Sequence, residues 1–281
     1  MSVHFGVLGV VEVRRVGEPV EVGHARQRQV LAALVMDAGR VVPADVLVDR
    51  VWGEREPRRG REALYGYVSR LRGALSSSGA DIVREQGGYR LMVRAGAVDV
   101  HRFRELSARA QTAPASYGDE RRAALWEEAL GLWRGEAFTG ADTPWFNAQR
   151  SLLDQERLAA QSELVEARLR LGQHAAVLAR LSAWAEQDPL DERVCGQLML
   201  ALYRSGRQAE ALEWYEQVRR RLSEEMGLDP GARLRRLHQR VLVADPSLEP
   251  AGTASGATGA GATTFPATCR TSSGGRTNSP G

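Results

Sequence analysis

One short stretch of the sequence concentrates positive charge. Five arginines lie between positions 58 and 72, opposed there only by Glu62; they are Arg58, Arg59, Arg61, Arg70 and Arg72. A guanidinium group binds phosphate, and from a helix in the major groove of DNA it pairs with the two acceptors of guanine. This stretch therefore predicts recognition of a nucleic acid. A solvated basic surface without a ligand is the alternative that charge alone leaves open.

The same stretch is predicted to form a helix over residues 60–75. Leu64, Val68, Leu71 and Leu75 recur at helical spacing and define its buried face. The residues that this orientation turns away from the core are the predicted DNA contacts of the helix: Gly66, Tyr67, Arg70 and Arg72. Gly66 would let the backbone approach closely, whereas Arg58, Arg59 and Arg61, before or at the helix start, suit phosphates. Tyr65 borders the apolar face, and its position fits either a core residue or a DNA contact.

Further elements are predicted on both sides of this helix. Strands are expected within residues 3–22, with a turn at Gly17-Glu18-Pro19, and helices over 26–38 and 44–52. The shorter helix should turn Val46, Leu47, Val51 and Trp52 inward.

A hairpin is predicted over residues 82–93. Its two apolar runs flank Gln86-Gly87-Gly88, where glycines allow positive φ. Arg84 and Arg90 flank the hairpin tip, and we expect them to reach an adjacent minor groove or the DNA backbone. Tyr89, like Trp52, is expected in the core. Strands, three helices and a hairpin, in that order, are the layout of a winged helix-turn-helix preceded by a small sheet.

The chain beyond residue 98 is predicted to be helical. Periodic apolar and alanine positions run through 101–112, 119–134, 145–171, 174–187, 191–205, 208–226 and 231–244. Residues 172–178 (GQHAAVL) and 206–212 (GRQAEAL) match at an offset of 34 residues, the period of tetratricopeptide (TPR) helix pairs. A generic helical bundle is the alternative. Residues 246–281 hold almost no apolar side chains, so we expect a disordered tail.

Composition excludes several classes of protein. All 38 basic residues are Arg, so a phosphate-binding loop with its Lys and a Schiff-base Lys are both excluded. The two cysteines, Cys195 and Cys269, are too few for a disulfide scaffold or a zinc module. The five histidines have no metal-binding spacing, and no hydrolase or dinucleotide motif occurs. We therefore predict no enzyme, no catalytic residues, no metal, no cofactor and no membrane span.

Several long motifs resemble a known family. The segments FGVLGVVEVRR, GHARQRQVLAALVMDAGRVVPADVLVDRVWG, ALYGYVSRLRGAL and VREQGGYRLMV resemble the OmpR/PhoB-type winged-helix domain. The later segments VDVHRFREL, EALGLWRGEAF and the stretch from PLDERVCGQLML to RRLHQRVL look like the bacterial transcriptional activator domain. Together they are similar to the Streptomyces antibiotic regulatory protein (SARP) family over about residues 3–245.

The resemblance implies a mostly α fold with a small β part. An N-terminal winged helix-turn-helix of the OmpR/PhoB type is expected over residues 1–97. An all-α, TPR-like bacterial transcriptional activator domain is expected over residues 98–245, and the Gly/Ala/Ser/Thr-rich tail over 246–281. The family's recognition helix falls on Arg61–Leu75 and its wing on Val83–Val93. The chain shows no nucleotide-binding motif and no receiver domain, so it looks like a small member of the family.

The resemblance also implies a function. Such a protein would be a cytoplasmic, nucleoid-associated activator of an antibiotic or other secondary-metabolite gene cluster. It would bind direct repeats in double-stranded DNA as a dimer and recruit RNA polymerase holoenzyme through the sigma subunit. Two alternatives remain: a TPR-like protein-interaction scaffold and a ligand-sensing repressor.

Overall fold

The protein is described by a computed structural model that covers residues 3–76, 78–94 and 96–249. Near the N-terminus, a pair of small antiparallel sheets flanks three helices. The strands are β1 (Val3–Gly6), β2 (Glu12–Arg15), β3 (Glu18–Val20), β4 (Val41–Pro43), β5 (Asp81–Glu85) and β6 (Gly88–Met92). The helices are α1 (Ala25–Met36), α2 (Ala44–Trp52) and α3 (Gly60–Leu75). One sheet has the order β1-β2-β3 and the other β4-β6-β5, which confirms the winged-helix layout.

The first hairpin turns one residue earlier than predicted. Arg15 pairs with Glu18, so the turn is Val16-Gly17 and Glu18 already belongs to β3. Both turn residues have positive φ, 51° at Val16 and 89° at Gly17. A β-branched residue is unusual at such a position, and the sequence therefore pointed to the glycine and proline that follow.

Helix α2 has the predicted bounds but not the predicted inner face. Leu47, Val51 and Trp52 are buried as expected, whereas Val46 is 38% exposed and Val48 takes the inner position at 4%. The helix has only nine residues, so a shift of the packing stripe by a fraction of a turn exchanges one valine for another.

The wing hairpin needs its two glycines for different reasons. Gly87, in the two-residue turn, has φ of 81°, as predicted. Gly88 is not a positive-φ residue but the first residue of β6, paired with Pro43 of β4. A Cβ at position 88 would lie 2.4 Å from the carbonyl oxygen of Val42. The absence of a side chain therefore lets β4 approach β6.

The rest of the described chain is helical. Its helices are α4 (Asp99–Thr112), α5 (Asp119–Leu130), α6 (Pro144–Arg170), α7 (His174–Gln187), α8 (Glu192–Arg204), α9 (Gln208–Arg221) and α10 (Ala232–Leu242). Short 3-10 turns occupy Gly53–Arg55, Ala115–Tyr117 and Pro246–Leu248, and a π-helical turn, Leu222–Met226, extends α9. Side-chain caps fix some starts: the Asp191 carboxylate accepts from the N–H groups of Arg193 and Val194 at 2.9 and 3.1 Å.

The two segments that match at an offset of 34 residues begin two equivalent helix pairs. Helices α7 and α9 begin 34 residues apart, and each follows a glycine with positive φ, 73° at Gly172 and 75° at Gly206. The loop hydrogen bonds repeat as well: Gln173 N–H donates to the Arg168 carbonyl and Arg207 N–H to the Leu202 carbonyl, both at 2.9 Å. The predicted helix-pair repeat is thus present in the backbone.

The buried side chains fall into two clusters that do not follow the predicted domain boundary at residue 97. The first cluster runs from Val3 through the winged helix into α4, α5 and much of α6. The second covers the end of α6 and the helices after it, and reaches Leu248, which is 3% exposed. Of the segment 246–281 that we predicted to be a disordered tail, residues 250–281 lie outside the described residues.

Candidate nucleic-acid interface

Helix α3 is buried along one face and open along the other. Leu64, Val68, Leu71 and Leu75 are each at most 1% exposed, as the sequence predicted. The opposite face is lined by five exposed residues: Glu62, Gly66, Ser69, Arg70 and Gly73. An exposed helix face of this kind has the dimensions that a major groove admits.

The middle of this open face carries little side-chain bulk. A Cβ added at Gly66 or at Gly73 would have no heavy atom within 4 Å. Glycine in a helix interior costs about 1 kcal/mol relative to alanine. The packing of this protein therefore does not require either glycine, and the backbone of α3 is left open to close approach from outside.

Arg70 and Arg58 are the predicted site residues with the most available guanidinium groups. Both are exposed, and within the described residues neither makes an ion pair. The Arg70 guanidinium lies 6.0 Å from the centre of the Tyr67 ring. Both groups can reach a ligand without first breaking a salt bridge.

Arg59 and Arg61 are exposed but paired. The Arg59 guanidinium lies 3.4 Å from the Glu62 carboxylate. Arg61 makes two hydrogen bonds to the Asp45 carboxylate, of 2.6 and 2.5 Å, and these bonds raise the pKa of the guanidinium. Ion pairs this exposed contribute little, so a phosphate can displace the carboxylate at small cost.

Tyr67 and Arg72 lie in intramolecular contacts. The Tyr67 ring is half-buried, stacked 6.1 Å from the Trp52 ring and edge-on to His24 at 5.2 Å. Arg72 Nε donates to the backbone carbonyl of Ile82 at 2.5 Å, and its guanidinium lies 5.9 Å from the Tyr89 ring. These contacts brace α3 against α2 and against the wing, and a contact of either side chain with DNA stays a prediction.

The wing lies beside the open face of α3. Arg84 on β5 is exposed, and its guanidinium lies 5.4 Å from the ring of Tyr65. Arg90 pairs with Glu85 across the hairpin. Tyr65 is 41% exposed, so its contact with Arg84 joins the helix to the wing at the surface. Tyr89 is buried at 3% and Trp52 at 7%, which confirms both as core residues.

Sequence reasoning did not assign Ser69 and Glu62 to the site. Both are exposed on the same face as Gly66, which they flank at spacings of three and four residues. That helical spacing from Gly66 is the signal in the sequence that places both residues on this face. Glu62 would repel phosphates and instead suits the exocyclic amine of cytosine.

Other kinds of site find little support in the described residues. Across residues 3–76, 78–94 and 96–249, no group of three or more His, Cys, Asp or Glu is placed to hold a metal ion. No helix in those ranges is long and apolar enough to cross a membrane. Burial raises the pKa of the Cys195 thiol to about 11, so this thiol stays protonated at neutral pH. Cys269 lies outside the described residues.

Two family models match the chain. The model of the C-terminal domain of transcriptional regulatory proteins matches residues 17–91. The model of the bacterial transcriptional activator domain matches residues 98–242. The first match contains α1, α2, α3 and nearly all of the wing, and the second begins one residue before α4.

Similar proteins carry the names of regulators. The chain is 42% identical to Regulatory protein AfsR of Streptomyces coelicolor over 88% of its own length, but it spans only 25% of that relative. Regulatory protein DnrI of Streptomyces peucetius is 33% identical, with 86% of this chain and 93% of the relative covered. Transcriptional regulator RedD of Streptomyces coelicolor is 36% identical, with 88% and 72% covered. These names confirm the prediction that the chain is not an enzyme.

A solved structure has the same fold. Mycobacterium tuberculosis EmbR, in complex with a low-affinity phosphopeptide, superposes with a TM-score of 0.81 at 32% sequence identity. The match covers 87% of this chain and 66% of that one. With its OmpR/PhoB-type winged helix followed by a bacterial transcriptional activator domain, the chain belongs to the SARP family of transcriptional regulators.

Proposed function

We propose that the protein is a sequence-specific activator of transcription that reads DNA with the open face of α3. The observation that carries this proposal is that Arg58 and Arg70, both exposed and without an ion pair within the described residues, accompany a helix surface of small residues. In this arrangement Arg70 would read guanine in the major groove while Arg58, Arg59 and Arg61 bind phosphates. Arg84 at the wing would reach the neighbouring backbone.

Membership of the SARP family extends this function to the kind of DNA site, the partner and the target genes. The chain would bind direct repeats near promoters as a dimer and recruit RNA polymerase holoenzyme through its sigma subunit. Its targets would be genes of an antibiotic or other secondary-metabolite pathway, and it would act on the chromosome in the cytoplasm. Membership of the SARP family supports these points.

The decisive experiment is a gel-shift titration with DNA flanking the gene, comparing the unaltered protein with Arg70→Ala. Loss of one base-reading arginine should cost about 1–3 kcal/mol of binding free energy, or roughly 5- to 150-fold in affinity, and relax the preference at one base position. Affinity should also fall steeply with added salt, because counterions are released from the DNA.

The matched control is Arg220→Ala, which removes an exposed arginine from the end of α9, in the helical region of the chain. We expect no more than a twofold change from it. If Arg70→Ala and Arg220→Ala behaved alike, α3 would not be the reading element. A footprint on the same DNA should show two protected sites in the same orientation, and a palindromic footprint would contradict binding to direct repeats.

A further inference from the structure

A groove of about 340 Å³ lies in the helical region of the protein, away from the winged helix. The end of α6, the inner side of α8 and the length of α10 form its walls. Leucine side chains line much of it: Leu200 and Leu237 are partly exposed to it, and Leu234 is buried behind them. The groove therefore presents apolar surface between helices of successive pairs.

Arginines surround this apolar surface, and they differ in whether an acid neutralises them. The arginines of the groove are Arg170, Arg193, Arg204, Arg233, Arg236 and Arg240. Arg170 and Arg193 pair with carboxylates on or near α6, and Arg240 pairs with Asp245 at 2.9 Å. These three are held by the protein itself.

Among the described residues, the remaining three make no ion pair shorter than 4.0 Å. Arg204 donates to the backbone carbonyls of Leu169 and Leu248, and burial lowers its pKa. Arg233 has a side chain 79% exposed, and its nearest acid is Glu166 at 4.0 Å. Within the described residues Arg236 is exposed and makes no ion pair.

The acids of the groove are already engaged. Glu166 pairs with Arg193 at 3.2 Å and with Arg170 at 3.4 Å. Glu192 accepts the N–H of Gly231 at 2.7 Å, at the start of α10. The charge left available to a ligand is therefore positive.

The spacing on α10 indicates a linear ligand. Arg233, Arg236 and Arg240 recur at three and four residues, so they share one side of the helix over a length of about 10 Å. Leu237 lies among them in the same groove. An extended or helical peptide with several acids and an apolar side chain between them matches this alternation. A nucleic-acid backbone would match the arginines but would offer nothing to the leucines.

The chain's own C-terminal segment has the wrong charge for this groove. Residues 250–281 contain two arginines and no acid. Like charges would repel, so these residues do not suit the groove.

We propose that the groove between α6, α8 and α10 binds an acidic peptide segment of a partner protein. Carboxylates of the segment pair with Arg233 and Arg236, and an apolar side chain rests on Leu200 and Leu237. The site is separate from the DNA contact of α3, and it goes beyond that proposed function.

The test measures binding of a fluorescein-labelled peptide to the full chain by fluorescence anisotropy. The probe is a twelve-residue peptide of alternating glutamate and leucine pairs, with two comparison peptides: one with lysine for glutamate and one with serine for leucine. The altered protein is Arg233→Glu with Arg236→Glu. The matched control is Arg220→Glu with Arg235→Glu, two exposed arginines of α9 and α10 that do not line the groove.

We expect the groove variant to lose at least tenfold in affinity for the acidic probe and the control variant to lose less than twofold. The lysine peptide should not bind, and the serine peptide should bind several-fold more weakly. Equal losses in both variants would mean unspecific attraction and would overturn the proposal, as would a serine peptide that binds as well as the probe.

A DNA titration on the same variants separates this proposal from the DNA-binding one. The groove variant should bind promoter DNA as the control variant does, and Arg70→Ala should leave peptide binding unchanged. A groove variant that loses DNA but keeps the peptide would identify the groove as a nucleic-acid surface, and the peptide proposal would be wrong.

Discussion

Two glycines on the exposed face of α3 lower the stability of a helix that the fold needs. Neither Gly66 nor Gly73 has a neighbour that a methyl group would touch. At each position glycine therefore lowers the stability of the helix but leaves its backbone unobstructed. At Gly66, near the middle of the helix, the lower stability is explained if DNA bases or sugars come close to the main chain.

Replacing Gly66 with alanine should move stability and DNA binding in opposite directions. We expect the free energy of unfolding to rise by about 1 kcal/mol, because alanine has the higher helix propensity. DNA affinity should fall severalfold, because the methyl group holds the groove away from the backbone. Urea denaturation and a gel-shift titration of the same preparation measure both effects.

Gly73→Ala is the control, since position 73 is equally open but lies seven residues further along α3. It should give a similar gain in stability with a smaller loss of affinity, because base contacts concentrate near the start of a recognition helix. If Gly66→Ala stabilised the protein and left DNA binding intact, close approach at that position would be disproved.

For single residues, the sequence predicted which way a side chain points better than it predicted what that side chain contacts. The spacing of Leu64 and Leu71 was enough to place Arg70 on the open side of α3. It could not show that Arg72, two positions on, would meet the carbonyl of Ile82, because that contact depends on how β5 packs against the helix. The contact of Tyr67 with Trp52 likewise depends on tertiary packing, in this case of α2 against α3.

Among the elements, the first hairpin carries a local conflict between residue type and backbone. Val16 is 69% exposed and has φ of 51°, a left-handed conformation that costs a β-branched residue about 1–3 kcal/mol. Gly17 completes a two-residue turn in which both central residues have positive φ. Turns of this kind favour Asn-Gly.

Changing Val16 to asparagine should therefore stabilise the protein. The expected gain in the free energy of unfolding is about 1 kcal/mol, read from the midpoint of a urea transition. Val41→Asn serves for comparison: it is also an exposed valine, but in the extended strand β4, and should be neutral or slightly destabilising. A midpoint that falls for Val16→Asn would contradict the strain argument.

Elements with a strong period were predictable, and elements defined by single turns were not. The bounds of α3 and α7 agree with the apolar spacing, since a period summed over several turns outweighs any one residue. The turn at Val16 and the outward position of Val46 depend on one or two residues each, where tertiary packing overrides local preference.

In the whole molecule, the winged helix and the first activator helices share a core. The backbone N–H groups of Arg134 and Phe138 donate to the carbonyls of Leu8 and Val7 at 2.8 and 2.9 Å. On the other side, the Thr143 hydroxyl donates to the carbonyl of Arg50 at 2.7 Å. Composition and motif order indicated two units, but nothing in the spacing of residues shows that their apolar faces merge.

Asp99 connects the two units and should be sensitive to substitution. Its carboxylate is 1% exposed and accepts the N–H groups of Val7, Leu8 and Val100, with Arg134 at 2.9 Å. In Asp99→Asn the side-chain NH₂ group faces these backbone N–H donors and cannot accept from them. The loss of the negative charge also weakens the pairing with Arg134. We expect a loss of about 2–3 kcal/mol in the free energy of unfolding.

The exposed carboxylate of Asp49, on α2, provides the control, and Asp49→Asn should change stability by less than about 0.5 kcal/mol. Urea denaturation followed by far-UV circular dichroism measures both variants. Should Asp99→Asn prove as stable as the unaltered protein, the connection through Asp99 would not hold the units together.

The bonds from Val7 and Leu8 to the segment before α6 have a consequence for geometry on the chromosome. A DNA-binding unit held to the helical region by these bonds presents the arginine-lined groove at one angle around the double helix. B-DNA completes a turn in about 10–10.5 base pairs. Moving the DNA-binding site by half a turn relative to the promoter would carry the groove to the far side of the duplex, whereas a whole turn would restore its facing. If the groove's partner is part of the transcription machinery, activation should alternate with the length of DNA between the binding site and the promoter.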